Sequence, residues 1–127
     1  MLGTYPLEAS LPASDIDRAK AFYRDKLGLE PAEESGDGGA FYDTGGARFL
    51  LYPSGFAGTN QATAAGWQVD DIEAVVAGLK GKGVEFQDYD FDELKTVDGI
   101  ATLPNGLKGA WFIDSEGNIL SVFQPAP

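Results

Sequence analysis

The chain contains no cysteine and no histidine. Without cysteine there are no disulfides, no thiolate catalysis and no thiolate zinc sites. Without histidine there is no Ser–His–Asp triad and no imidazole ligand for a metal, and the usual general base near neutral pH is missing. No apolar run approaches the roughly 18 residues that a membrane-spanning helix needs. Met1-Leu2-Gly3-Thr4-Tyr5 does not lead from a basic region into a long apolar stretch, so no signal peptide is read and a cytoplasmic location is expected. Basic residues are scarce: 9 against 20 acidic ones, for a net charge of −11. Such a surface suits neither nucleic acid nor an anionic membrane, and it attracts small cations. The same charge also serves solubility, or reflects an acid-rich, salt-adapted composition.

With 127 residues, 43% of them hydrophobic, the sequence suits a single domain with its own core, residues 1–127. Tyr5–Ala13 reads as a strand, with Leu7, Ala9 and Leu11 on one face. Ser14 is a helix N-cap candidate, with Asp15 and Asp17 in the first turn. Ile16, Ala19, Phe22, Tyr23 and Leu27 follow at helical spacing, and Gly28 ends the run. Leu29–Glu34, Gly39–Asp43 and Arg48–Tyr52 read as short strands. The second half repeats this plan. Ala64–Val69 is a strand, Asp70 with Glu73 resembles a capping box, and Ile72, Val75, Val76 and Leu79 form a stripe that Gly81 and Gly83 close. Val84–Gln87, Gly99–Leu103, Lys108–Asp114 and Asn118–Gln124 follow as strands, with a tight turn at Asn105-Gly106.

The repeat is visible in the residues. Ser14-Asp15-Ile16 matches Asp70-Asp71-Ile72, and the stretch Asp43–Tyr52 matches Asp114–Phe123. The second half carries a longer loop at Asp88–Asp98. The expected fold is α+β: two βαβββ modules forming a cupped mixed sheet, with the helices on its outer face. Module one spans about 1–55, a connector about 53–62 and module two about 63–127.

Ala13–Gly28, the opening Val69-Asp70-Asp71-Ile72 and the closing Phe112-Ile113-Asp114-Ser115-Glu116-Gly117-Asn118 together resemble landmarks of the vicinal oxygen chelate superfamily. That superfamily includes glyoxalase I, extradiol dioxygenases, fosfomycin resistance enzymes and bleomycin resistance proteins. Ser115 stands where its closing hairpin usually has proline. The resemblance implies metal ligands on the first and last strand of each module, and here those positions hold Glu8, Leu50, Ala64 and Ser121. A divalent metal needs three or four donors, and only Glu8 has a metal-binding side chain. A one-residue shift brings in Leu7, Ala9, Leu51, Ala65, Leu120 and Val122, all apolar. No metal and no other cofactor is therefore expected. The resemblance also implies a homodimer.

Strand parity places Glu8 and Ser10, Arg48, Leu50 and Tyr52, Ala64, Gly66 and Gln68, and Ile119, Ser121 and Phe123 on the cup side. Trp67 and Val69 point toward the helices, and the facing of Trp111 is open. Such a face either binds a small molecule or is covered by a partner or by its own closure. Glu8, if buried among apolar groups, is a candidate acid or base; otherwise it is hydrated or bonded to Ser10, Arg48 or Tyr52. Asp88-Tyr89-Asp90-Phe91-Asp92-Glu93 fails as a calcium loop, because its sixth and twelfth positions are Glu93 and Gly99. It reads as a solvated or lid-like loop, with Tyr89 and Phe91 turned to the cavity. Gly36-Asp37-Gly38-Gly39 and Gly45-Gly46 are hairpin turns, since no phosphate-loop lysine follows.

The expected function is capture of a small aromatic or cationic molecule without a metal, as in bleomycin-resistance-type proteins. Glu8, Ser10, Arg48, Leu50, Tyr52, Gln68, Tyr89, Phe91, Trp111, Ser121 and Phe123 are the binding candidates. The alternatives are a metal-independent isomerase or lyase using Glu8, and a non-catalytic regulatory or assembly protein. Metal-dependent glyoxalase or dioxygenase activity is not expected.

Overall fold

A computed structural model describes all 127 residues. Strand β1 (Ala9–Ala13) leads into helix α1 (Ile16–Leu27), followed by β2 (Glu33–Glu34), β3 (Ala40–Thr44) and β4 (Ala47–Pro53). Strand β5 (Thr63–Gln68) leads into helix α2 (Ile72–Gly81), then β6 (Asp90–Phe91), β7 (Leu94–Val97), β8 (Ile100–Thr102), β9 (Lys108–Ile113) and β10 (Ile119–Gln124). The expected α+β fold of two βαβββ modules is present. In each module the first strand lies parallel to the last, β1 on β4 and β5 on β10. The two sheets run β1-β4-β3-β2 and β5-β10-β9-β8-β7-β6, and no strand pairing joins them.

The parity expectation holds on the helix side. Leu11, Ala13, Ala40, Tyr42, Phe49, Leu51, Ala110, Phe112, Leu120 and Val122 are buried there with Ala19 and Tyr23 of α1 and Ile72 and Val76 of α2. Rings carry this core across the boundary between the sheets. Tyr42 stacks on Phe49 at 5.0 Å, Phe49 meets Trp67 edge-on at 6.4 Å, and Trp67 stacks on Phe112 at 6.5 Å. Side chains rather than a backbone ladder therefore hold the sheets together, with each ring pair adding about 0.5–1.5 kcal/mol beyond its buried area.

Several boundaries differ from expectation, each for a local reason. β1 starts at Ala9 because Pro6 has no N–H and Tyr5 N–H turns back to the Leu2 carbonyl at 3.1 Å. Asp15, not Ser14, caps α1 by accepting from Arg18 N–H at 3.1 Å, while the Ser14 hydroxyl is committed to Glu116. Asp71, not Asp70, caps α2, so Ala74 rather than Glu73 occupies the third helical position and no capping box forms; Glu73 instead pairs with Lys108 Nζ at 2.6 Å. Gly28 ends α1 in the left-handed region as expected, at φ 71°. Val84–Gln87 contributes one bridge, Phe86 to Phe112, rather than a strand. The Asp88–Asp98 loop holds a hairpin, in which β6 and β7 pair through Asp90–Lys95 and Phe91–Leu94.

Candidate functional site

The first strands of the two modules run past each other without hydrogen bonding, and a cleft of about 620 Å³ opens where they meet. Glu8 and Ala9 line one side, Ala47 and Arg48 another, and Ala64, Gly66, Trp67 and Gln68 the far wall. Only two charged side chains reach it. Arg48 is already held by Asp43, at 2.8 Å from its Nε, and by Glu33, and its guanidinium lies 5.4 Å from the centre of the Phe41 ring. Glu8 enters none of the five ion pairs of the molecule. The cleft thus has mostly apolar walls and one uncommitted carboxylate, a lining suited to a small molecule with a positive group. Glu8 is exposed, so the burial on which its proposed proton-shuttle role depends is absent.

The eleven candidate binding residues do not share one cavity. Glu8, Arg48 and Gln68 meet in the cleft. Ser10 lies opposite Leu50 in the β1–β4 register, and Tyr52 lies opposite Pro12, on the open face of module one. Ser121 and Phe123 lie beside Gly66 and Gln68 on β10, and Ser121 also faces Trp111 across β9. The facing of Trp111 is settled: it lies on the side opposite the helices, where Tyr89 meets its ring edge-on at 5.7 Å and stacks on Phe91 at 6.0 Å. Gly66 is required there, because a Cβ at that position would sit 2.4 Å from Ser121 Oγ. Of the four positions where the resemblance implies metal ligands, Glu8 and Ala64 line the cleft, and Leu50 and Ser121 do not. Nowhere do three His, Cys, Asp or Glu side chains gather. The donor set does not fit a metal, since one carboxylate cannot supply the coordination that a divalent ion needs.

Residues outside the candidate set hold the site together. Asp114 is buried in the β9–β10 hairpin. It accepts from Tyr23 hydroxyl at 2.6 Å, Asn118 Nδ2 at 2.9 Å and the Glu116 and Asn118 N–H groups at 2.8 and 2.9 Å. Asn118 Nδ2 also donates to the Pro12 carbonyl of β1 at 2.9 Å. Burial pushes the Tyr23 hydroxyl well above its ordinary pKa, and the Asp114 carboxylate adds to the shift. The Glu116 side chain is fully buried and receives Arg18 Nε at 2.9 Å and Asp15 N–H at 2.9 Å. Burial works against its charge, but Arg18, Asp15 N–H and the Ser115 hydroxyl outweigh it and hold the carboxyl at about 2. This network ties the hairpin of module two to β1 and α1, and so positions one wall of the cleft. A glutamate in a turn reads as solvated, so no local signal marked Glu116. Trp67, assigned to the core, also lines the cleft; its indole N–H donates to Thr44 Oγ1 at 3.2 Å.

The family described as Glyoxalase/Bleomycin resistance protein/Dioxygenase superfamily matches residues 7–89. No curated protein sequence matches the chain. Among solved structures, a glyoxalase/bleomycin resistance protein from Catenulispora acidiphila DSM 44928 aligns with a TM-score of 0.69 and 22% identity, over 94% of this chain and 97% of that one. A glyoxalase/bleomycin resistance protein/dioxygenase from Alicyclobacillus acidocaldarius gives 0.69 and 20%, over 95% and 91%. The fosfomycin resistance protein FosX from Listeria monocytogenes gives 0.68 and 15%, over 96% and 91%. A mutant of FosX is described in complex with Mn(II) and 1S,2S-dihydroxypropylphosphonic acid. At these identities the likeness is one of fold.

Proposed function

The chain belongs to the glyoxalase/bleomycin resistance protein/dioxygenase superfamily, and from that premise we propose that it is a metal-free binding member that takes a small cationic or aromatic molecule into the cleft between β1 and β5. One observation carries this reading. Of the two charged side chains lining the cleft, Arg48 is neutralised by Asp43 and Glu33, which leaves the solvent-exposed Glu8 carboxylate as the one uncommitted charge beside a mostly apolar lining. The donor set supports the absence of a metal, because Leu50, Ala64 and Ser121 stand where the family's ligands are implied. Binding then needs apolar burial, contact with the Trp67 ring and an opposite charge. A net charge of −11 steers cations toward the surface.

The test is a thermal-shift panel of aromatic cations and bleomycin-type glycopeptides, run together with metal analysis of the purified protein. At least one cation should raise the melting temperature, and Glu8→Gln should weaken that ligand about tenfold without lowering the unliganded melting temperature. Stoichiometric zinc, iron, nickel or manganese in the purified protein overturns the reading. So does a panel that shifts nothing.

A further inference from the structure

Gly66 lines the cleft, and the space where its side chain would be is taken by another residue's hydroxyl. Gly66 of β5 lies opposite Ser121 of β10 in the parallel register. A Cβ at position 66 would sit 2.4 Å from Ser121 Oγ, far inside van der Waals contact. The hydroxyl therefore fills the volume that a side chain at 66 would fill. A glycine inside a strand marks such a close approach. Position 66 has no side chain of its own, and the group it presents is the serine hydroxyl behind it.

Ser121 is only 8% exposed, and its Oγ has no hydrogen-bond partner in the protein. It is not sealed off. The Tyr42 hydroxyl is the one polar side-chain atom that is both closed to solvent and unpartnered, so Ser121 Oγ keeps an opening. A nearly buried, unpartnered hydroxyl gains more from a ligand's polar group than an exposed one, which only exchanges one water for another. The other neutral polar side chains of the cleft are less suited. Thr44 Oγ1 accepts from the Trp67 indole at 3.2 Å, and Gln68 is exposed. An anionic group is disfavoured by Glu8 and by the net charge of −11. A hydroxyl suits serine on both counts, since each can donate and accept. We propose that Ser121 Oγ is the specificity-determining group of the cleft, and that its ligand is an aromatic cation that also carries a hydroxyl. The proposal rests on the cleft binding a cation, and it adds the neutral polar group that the ligand must bear.

The experiment titrates tyramine, phenethylamine and p-cresol into the intact protein and follows the Trp67 indole N–H resonance by NMR. Tyramine should bind about fivefold more tightly than phenethylamine, which lacks only the hydroxyl. Ser121→Ala should bring the two affinities together. The pair Gly66→Ala with Ser121→Gly puts a methyl where the hydroxyl was, and it should do the same. The uncharged p-cresol keeps the hydroxyl without the cation and should bind more weakly than tyramine. If p-cresol binds as tightly as tyramine, the cation reading fails, and the preference for tyramine over phenethylamine still decides the role of Ser121. Equal affinities for tyramine and phenethylamine overturn the proposal. So does a preference that survives Ser121→Ala. A Trp67 resonance that none of the three compounds moves overturns it together with the reading on which it rests.

Discussion

The hairpins that close the two modules occupy equivalent places and have opposite fates. In module one, Asp43 is exposed at the end of β3 and pairs with Arg48 on its own hairpin. In module two, the matching Asp114 is buried and gathers Tyr23, Asn118 and two backbone N–H groups. The difference lies in two neighbours. Gly45 and Ala47 of the first hairpin correspond to Glu116 and Asn118 of the second. Glu116 reaches Arg18 and Asp15, and Asn118 reaches Pro12, so the second hairpin clamps onto module one. The first hairpin reaches across at Thr44, to the Trp67 indole. A repeated backbone plan can thus carry an asymmetric joint, with polar side chains deciding which copy becomes the clamp.

The largest expected effect breaks this comparison directly. Asp114→Ala strands a buried hydroxyl, an amide and two N–H groups, and should cost about 3–5 kcal/mol in urea unfolding. Asp43→Ala removes one side of an exposed pair and should cost less than about 1 kcal/mol. Equal losses would mean that the two hairpins are equivalent after all.

A smaller effect depends on pH. Glu116→Gln should cost about 2 kcal/mol near neutral pH. The folded carboxyl titrates at about 2, below its ordinary value of 4.5. Between these values the unfolded chain holds more protons, so the stabilisation is complete above about pH 4.5 and is lost as pH falls toward 2. The gap between wild type and Glu116→Gln should close over that range. A gap independent of pH would show that the charge of Glu116 does not hold the clamp.

The smallest effect sharpens the other side of the comparison. Thr44→Val removes the acceptor of the half-buried Trp67 indole and should cost about 1 kcal/mol by urea unfolding. A loss as large as that of Asp114→Ala would make the first hairpin an equal partner in the joint.

Much of this fold was legible from local pattern. Two-residue alternation identified the buried faces of β4 and β10, and helical spacing with Gly28 outlined α1. The β6–β7 hairpin was not legible, because Phe91, Val97 and the acidic residues around them are exposed and leave no one-sided apolar pattern. Ser14 and Asp70 are sound caps by type and were displaced by one residue, because Glu116 takes the Ser14 hydroxyl and Asp71 reaches Ala74 N–H. The candidate site was legible face by face but not as a whole. Parity grouped the side chains of each strand, but it did not show that Glu8 and Gln68 meet across two modules while Tyr52 lies elsewhere.

The sequence by itself determined the two-module plan, the net acidic charge and the absence of histidine and cysteine. These follow from residue type and periodicity, which need no partner. Only the tertiary structure decided that the sheets join through rings, that Glu116 is buried and charged, and that Trp67 lines the cleft as well as the core. Those properties depend on groups from 18 to 102 residues apart coming within hydrogen-bond or ring-stacking distance, and no local pattern encodes such a distance.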